Sequence, residues 1–126
     1  MPTAELPIDL RSVAAARLLL GGVLDDLAGR SGTRPEVAEG ALLMVSELVT
    51  NAVLHTHGLL RLEITVQDGD LYVGVVDDAP EAPAPRDPSL EATGGRGLLI
   101  VDALAQQWGF TRGPGSKTVW FRVALT

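Results

Sequence analysis

Residues 60–78 read Leu60-Arg61-Leu62-Glu63-Ile64-Thr65-Val66-Gln67-Asp68-Gly69-Asp70-Leu71-Tyr72-Val73-Gly74-Val75-Val76-Asp77-Asp78. Leu60, Leu62, Ile64 and Val66 alternate with Arg61, Glu63, Thr65 and Gln67. That period of two predicts a strand buried on one face. Asp68-Gly69 is a strong signal for a tight hairpin turn. The return strand places Leu71, Val73 and Val75 on one face, and the same alternation puts Asp77 next in that row. A carboxylate at the end of an apolar row either marks where the strand meets solvent or points inward, where a charge needs a partner.

Upstream the period is 3.6. Pro35 to about Thr56 forms a helix whose apolar stripe is Val37, Ala41, Met44 or Val45, Leu48 and Ala52. Thr33-x-x-Glu36 has the spacing of a capping box, with Pro35 at a position that tolerates a missing N–H. Glu47, Asn51 and His55 fall four residues apart and project from one side. They are either an ordinary polar stripe or a site. A carboxylate and an amide one turn apart suit Mg²⁺, which takes oxygen ligands and keeps several waters, or a carboxylate base held beside a phosphate. His55 and His57 are two apart and do not converge on a metal.

Working outward, Leu6–Leu10 is expected as a short edge strand and Ser12–Ala28 as a first helix ending at Gly29. Ala79–Thr93 contains four prolines and no periodicity. Long loops of this kind in compact domains are often lids or binding segments. Gly94-Gly95-Arg96-Gly97 then opens a third helix through Leu98-Leu99-Ile100-Val101 and Ala103-Leu104. A glycine-rich turn at a helix start offers outward N–H groups to an anion, although a short glycine cluster is more often only a loop end. It is neither a Walker motif nor a dinucleotide fingerprint. Trp108–Arg112 and Lys117–Leu125 are two further strands around Gly113-Pro114-Gly115-Ser116, with Val119, Phe121, Val123 and Leu125 on one face. Trp108, Phe110, Trp120 and Phe121 are expected to pack within these strands rather than to stack on bases. Helices on one side of a mainly antiparallel sheet make a two-layer α+β sandwich.

The 126 residues are expected to form a single domain, residues 1–126. A 46% share of hydrophobic residues supports a core, and only 4% are aromatic, so that core is mainly aliphatic. A net charge of −6 argues against direct nucleic-acid binding but not against a nucleotide, which needs only a local cradle. There is no cysteine, so disulfides and thiolate metal sites are excluded. No uninterrupted apolar run reaches the ~18 residues of a spanning helix, so no membrane association is expected. The composition fits a cytoplasmic location.

The order of these parts carries more than any one of them. Helical Glu-x-x-x-Asn is followed by a hairpin, an Asp at a strand end, a lid-like loop, Gly-x-Gly before a helix and a final Gly-x-Lys-Thr strand. This order resembles the GHKL ATPases, the superfamily of histidine kinases, Hsp90, gyrase B and MutL. The resemblance runs over nearly the whole chain. It is carried by Ser46–Val53, Val75–Asp78, Gly95–Val101 and Lys117–Phe121. Within the superfamily the chain is most similar to the small stand-alone anti-sigma-factor serine kinases and their actinobacterial regulatory relatives.

The resemblance implies a Bergerat-type ATP-binding fold, ATP and Mg²⁺ as ligands, and a role for each matching residue. Glu47 matches the catalytic carboxylate that serves the attacking hydroxyl or water. Asn51 matches the Mg²⁺ ligand that bridges to the phosphates. Asp77 matches the acceptor of the adenine amino group, which would supply the partner an inward carboxylate needs. Gly95, Arg96, Gly97 and Leu98 fall at the second glycine box beside the phosphates, and Arg96 either neutralises phosphate or is a solvated loop arginine. Thr118 matches a polar position near the base, or is simply a residue that favours strands. Arg17 aligns with a partner-contact position of anti-sigma kinases, or covers apolar neighbours.

One segment departs from the pattern. The first box is usually Asp-x-Gly-x-Gly, whereas this chain has Asp77-Asp78-Ala79-Pro80-Glu81. Both glycines are lost and an anion is added, which predicts reduced nucleotide affinity or reduced lid closure. The activity implied is that of an anti-sigma factor with protein serine/threonine kinase activity toward an anti-sigma antagonist. The alternative is a nucleotide-gated or catalytically weak module that sequesters a partner. Without a dimerisation helix carrying a phosphoacceptor histidine, a free-standing sensor histidine kinase is not expected. The partners implied are a sigma factor and its antagonist protein. Small relatives often dimerise, so a homodimer is one expected state.

Overall fold

The computed structural model describes residues 3–79 and 95–125. In chain order the elements are β1 (Thr3–Glu5), α1 (Arg11–Ser31), α2 (Pro35–His55), β2 (Leu60–Gln67), β3 (Asp70–Asp77), α3 (Gly95–Leu104), β4 (Gln107–Gly113) and β5 (Ser116–Ala124). The strands form one sheet in the order β1-β2-β3-β5-β4, and each neighbouring pair is antiparallel. The helices pack on one face, which is the α+β two-layer arrangement expected from the pattern.

The central hairpin forms as the alternation predicts. Leu60 pairs with Asp77 and Gln67 with Asp70. Asp68 and Gly69 connect them with φ of 55° and 80°, the positive values a type I′ turn requires at both positions. Leu60, Leu62, Ile64, Leu71, Val73, Val75, Val119, Phe121 and Val123 form the strands' contribution to the core. They meet Ala41, Met44, Val45, Leu48, Val49 and Ala52 of α2 and Ala16, Leu20 and Leu24 of α1. By length and composition α2 is apolar enough to cross a membrane, with a mean hydropathy of 1.5. Its apolar stripe is buried against the sheet and the neighbouring helices.

Three local expectations are corrected. The edge strand lies at Thr3–Glu5 rather than Leu6–Leu10. Leu6 adds one last bond, its N–H donating to the Leu60 carbonyl at 2.9 Å, and Pro7, which has no N–H, ends the pairing. Helix α1 runs through Gly29 and stops at Gly32, whose φ of 70° supplies the left-handed cap. The capping box at Thr33 does not form: Pro35 takes the first helical position, Arg34 becomes the N-cap, and no side chain caps the helix. Thr33 therefore sits one residue too early, and its Oγ1 bonds to no described atom.

The outer face of the sheet carries the other parity. Tyr72 stacks on Trp120 with ring centroids 5.9 Å apart. Trp108 lies on the inner face, packed against the core, with its indole N–H donating to Asp102 at 2.8 Å. Phe110 remains exposed beside the Arg112 guanidinium, 5.8 Å from the ring centre.

Candidate functional site

The C-terminal end of α2, the start of β2 and the end of β3 are tied together by one carboxylate. Asp78 Oδ1 accepts from the Thr56 hydroxyl at 2.6 Å and from the His57 N–H at 2.7 Å, and Oδ2 accepts from the Gly58 N–H at 2.7 Å. The Thr56 hydroxyl and then the His57 N–H hold the Asp78 carboxyl down from its ordinary 3.8 to about 2. Because the folded value is depressed, the stabilisation is complete above the ordinary value and disappears as pH falls to about 2. Asp78→Ala is therefore expected to lower the denaturation midpoint near neutral pH, with the gap from wild type closing between pH 3.8 and about 2. Denaturant titrations across that range check it. A gap independent of pH would mean the carboxylate's charge is not what anchors this junction.

Asp77 points the opposite way, because successive strand residues alternate faces. It is paired in register with Lys117 of β5. The two side chains are 3% and 6% exposed, with Lys117 Nζ 2.8 Å from Asp77 Oδ1. The Ala79 N–H also donates to Oδ1 at 2.8 Å, and Lys117 Nζ donates to the Ala79 carbonyl at 3.2 Å. Asp77, Lys117 and Ala79 thus close a small polar ring inside the sheet's inner face. The carboxylate points inward, and it has a partner within the chain in addition to any that a ligand would supply.

Lys117 is the residue that the sequence reading missed, and its signal was present. It is the only lysine. It also shares the parity of Val119, Phe121 and Val123, so an inward Asp77 and an inward Lys117 stand at the same end of two apolar rows. Thr118 has the other parity. It pairs with Val76, and its methyl lies on the outer face over Gly74, where an added Cβ would come within 3.0 Å of it. The structure does not bring Thr118 together with Asp77.

On α2, the Arg17 guanidinium donates to Ser46 Oγ at 2.7 Å and to the Leu42 carbonyl at 3.2 Å. That flank therefore faces α1, and Arg17 serves as a strut between the two helices. The opposite flank faces α3. Gly40 and Met44 of α2 line a groove of about 340 Å³ with Leu104 at the end of α3 and Ala105 just after it. One and two turns further along the same flank stand Glu47 and Asn51. Both are half-buried, and neither side chain hydrogen-bonds to a described residue. The groove marks the N-terminal half of α2, so Glu47 and Asn51 lie along the seam toward the end where Thr56 meets Asp78.

Helix α3 begins at Gly95, so the backbones of Gly95, Arg96 and Gly97 form its first turn, whose N–H groups have no partner within the helix. Leu98 is 2% exposed and belongs to the core, so only its backbone is available to a ligand. Pro80 to Gly94, including Glu81 and Arg86 of the expected lid, lie outside the described residues.

The sequence matches the model of the histidine kinase-like ATPase domain over residues 6–123. The chain belongs to that family. Solved structures agree on the fold. The RsbU and RsbW domains of Rv1364c from Mycobacterium tuberculosis superpose with a TM-score of 0.71 at 17% identity, over 99% of this chain and 32% of that one. The histidine kinase domain of the Erythrobacter litoralis blue-light-activated kinase EL346 gives 0.56 at 26% identity, over 87% of this chain and 61% of that one. The Acinetobacter baumannii histidine kinase AdeS gives 0.56 at 15% identity, over 100% and 68%. The chain thus spans only 32% and 61% of the first two. None of the curated proteins compared with it matches.

For a histidine kinase-like ATPase domain the ligands to be tested for fit are ATP and Mg²⁺. Among the described residues no three His, Cys, Asp or Glu side chains cluster to hold a metal. Mg²⁺ takes one or two protein oxygens together with phosphates and water, without a protein cage. Asn51 offers such an oxygen, and Glu47 stands one turn away. The corner at Asp77 differs, because Lys117 already bonds to one oxygen of its carboxylate.

Proposed function

We propose that the chain binds ATP with Mg²⁺ at the end of the sheet marked by Asp77, and acts as a regulatory kinase-like module. The observation that carries this is the α2 flank: Glu47 and Asn51, half-buried and unbonded to described residues, continue the α2–α3 seam toward the strand end of Asp77. In this reading Asn51 is the protein's Mg²⁺ ligand and Glu47 serves the attacking hydroxyl. The first turn of α3, from Gly95 through Gly97, receives phosphate on its N–H groups. The finer reading, supported by resemblance to the anti-sigma serine kinases, is a cytoplasmic anti-sigma factor that phosphorylates a serine or threonine of its antagonist protein. A sigma factor would be the sequestered partner.

Calorimetry of ATP binding with and without Mg²⁺ tests the core of the proposal. Wild type should bind more tightly with Mg²⁺, and Asn51→Ala should lose that Mg²⁺-dependent increment while keeping its metal-free affinity. Equal Mg²⁺ dependence in both proteins would remove Asn51 as the ligand.

A second reading rests on the ring of Asp77, Lys117 and Ala79. Ala79 stands where the first glycine of the family's box is expected, and its backbone is committed to Asp77 and Lys117 at 2.8 and 3.2 Å. A backbone held in this way favours a module that binds a partner under weak nucleotide control over an efficient kinase. Phosphate transfer from labelled ATP to candidate antagonist proteins separates the two.

A further inference from the structure

The ring at the end of β3 and β5 has bonding capacity that its internal contacts do not use. An ammonium carries three N–H groups. Lys117 spends two of them, on Asp77 Oδ1 at 2.8 Å and on the Ala79 carbonyl at 3.2 Å. A carboxylate accepts on both oxygens, and the bonds from Lys117 and Ala79 both fall on Oδ1. The corner therefore holds an acceptor, Oδ2, next to a donor, the third N–H of Lys117.

An adjacent acceptor and donor are complementary to an adjacent donor and acceptor. Adenine presents that pattern on its Watson–Crick edge: the N6 amino group donates and N1 accepts. We propose that Lys117 is a base-reading residue, donating to adenine N1 while Asp77 accepts from the N6 amino group. The inference rests on the ATP-binding reading and deepens it, because it assigns the base contact to a charged pair instead of to Asp77 alone.

The energetics favour a lysine that stays. Asp77 is 3% exposed. Withdrawing the ammonium would leave a buried carboxylate facing a neutral amino group, and neutral donors are about half as strong toward an anion as charged ones. The base is therefore received by the intact pair. The pair also sets selectivity. Guanine placed in the same way turns its O6 acceptor toward Asp77 and its N1–H donor toward Lys117. Both contacts are then like against like, and leaving buried polar groups unpaired is a strong means of rejection.

Calorimetric titration of the wild-type chain with ATP, with 1-deaza-ATP, in which N1 is replaced by C–H, and with GTP tests this directly. Wild type should bind 1-deaza-ATP about tenfold or more weakly than ATP, the loss of a hydrogen bond to a charged group, and GTP more weakly still. Lys117→Met, where it folds, should no longer distinguish ATP from 1-deaza-ATP. Equal wild-type affinity for ATP and 1-deaza-ATP overturns the lysine contact and leaves the ATP reading standing. Tighter ATP binding by Lys117→Met than by wild type also overturns it, since the lysine would then compete with the base for Asp77. Failure of wild type to bind any of the three nucleotides overturns the ATP reading, and this inference with it.

Discussion

Lys117→Met should destabilise the fold by about 3–5 kcal/mol, the usual cost of removing one partner of a buried ion pair. The size follows from where the pair sits. Asp77 and Lys117 are cross-strand neighbours on the inner face, 3% and 6% exposed and 2.8 Å apart. The ammonium and the Ala79 N–H are the two groups bonded to Asp77 Oδ1, so removing the ammonium leaves a largely buried carboxylate with one neutral donor. Methionine keeps the length and apolar character of the stem, so lost packing is a minor part of the effect. The complementary variant Asp77→Leu should cost a similar amount. The double variant Asp77→Leu/Lys117→Met should recover most of the loss, because a buried pair replaced by well-packed apolar residues is often neutral or stabilising. Denaturant unfolding of all four proteins gives the coupling directly. A Lys117→Met variant within about 1 kcal/mol of wild type, the range of exposed pairs, would mean that the pair contributes no more than a solvent-screened one.

If that recovery is seen, the pair is retained at no gain in stability, and a role in ligand recognition is the remaining reason for two charges inside an aliphatic core. The same inner face further from the strand ends is filled by Val73, Val75, Val119 and Phe121. Charge appears only at the end nearest the proposed nucleotide.

Local pattern made most of the fold legible. The period of two over 60–67, the Asp-Gly turn and the 3.6 period of α2 each depend on neighbours a few residues apart, and each appears in the structure as read. The failures also have local causes. Pro7 falls inside the expected first strand and leaves the pairing to the residues before it, Pro35 shifts the N-cap past Thr33, and Gly29 is tolerated inside α1 because a better stop, Gly32, lies just beyond it. The candidate site was legible where it lies on one helix: Glu47 and Asn51 share a flank by spacing alone. It was not legible where two distant strands meet. Asp77 and Lys117 are separated by 40 residues, and only the register between β3 and β5 shows that residue 117, not 118, shares its face. Parity of the apolar row beginning at Val119 was the available clue. Thr118 drew attention as a motif residue, and its outward direction is a consequence of that parity.

Glu47→Gln is expected to lower ATP turnover by roughly 10²–10⁴-fold, the range for loss of a positioned general base, while ATP affinity changes little. In the proposed reaction the acceptor oxygen bonds to the γ-phosphorus, the bond from that phosphorus to the bridging oxygen breaks, and ADP leaves with the electron pair. The proton of the attacking hydroxyl or water passes to the Glu47 carboxylate. Glutamine keeps the shape and can still orient the nucleophile, but it cannot take the proton. Binding is spared because the affinity is assigned elsewhere: the phosphates to the first turn of α3, Mg²⁺ to Asn51, and the base to Asp77 and Lys117. Glu47 is half-buried on the α3-facing flank, outside the buried stripe that runs from Ala41 to Ala52, so the substitution should leave the unfolding midpoint unchanged. Turnover is read from phosphate release, affinity from calorimetry and stability from denaturant unfolding on the same samples. A fall in all three would indicate a structural carboxylate. Unchanged turnover would exclude Glu47 as the base. ATP binding without turnover in the wild-type chain, before any substitution, would favour the module that sequesters its partner under nucleotide control.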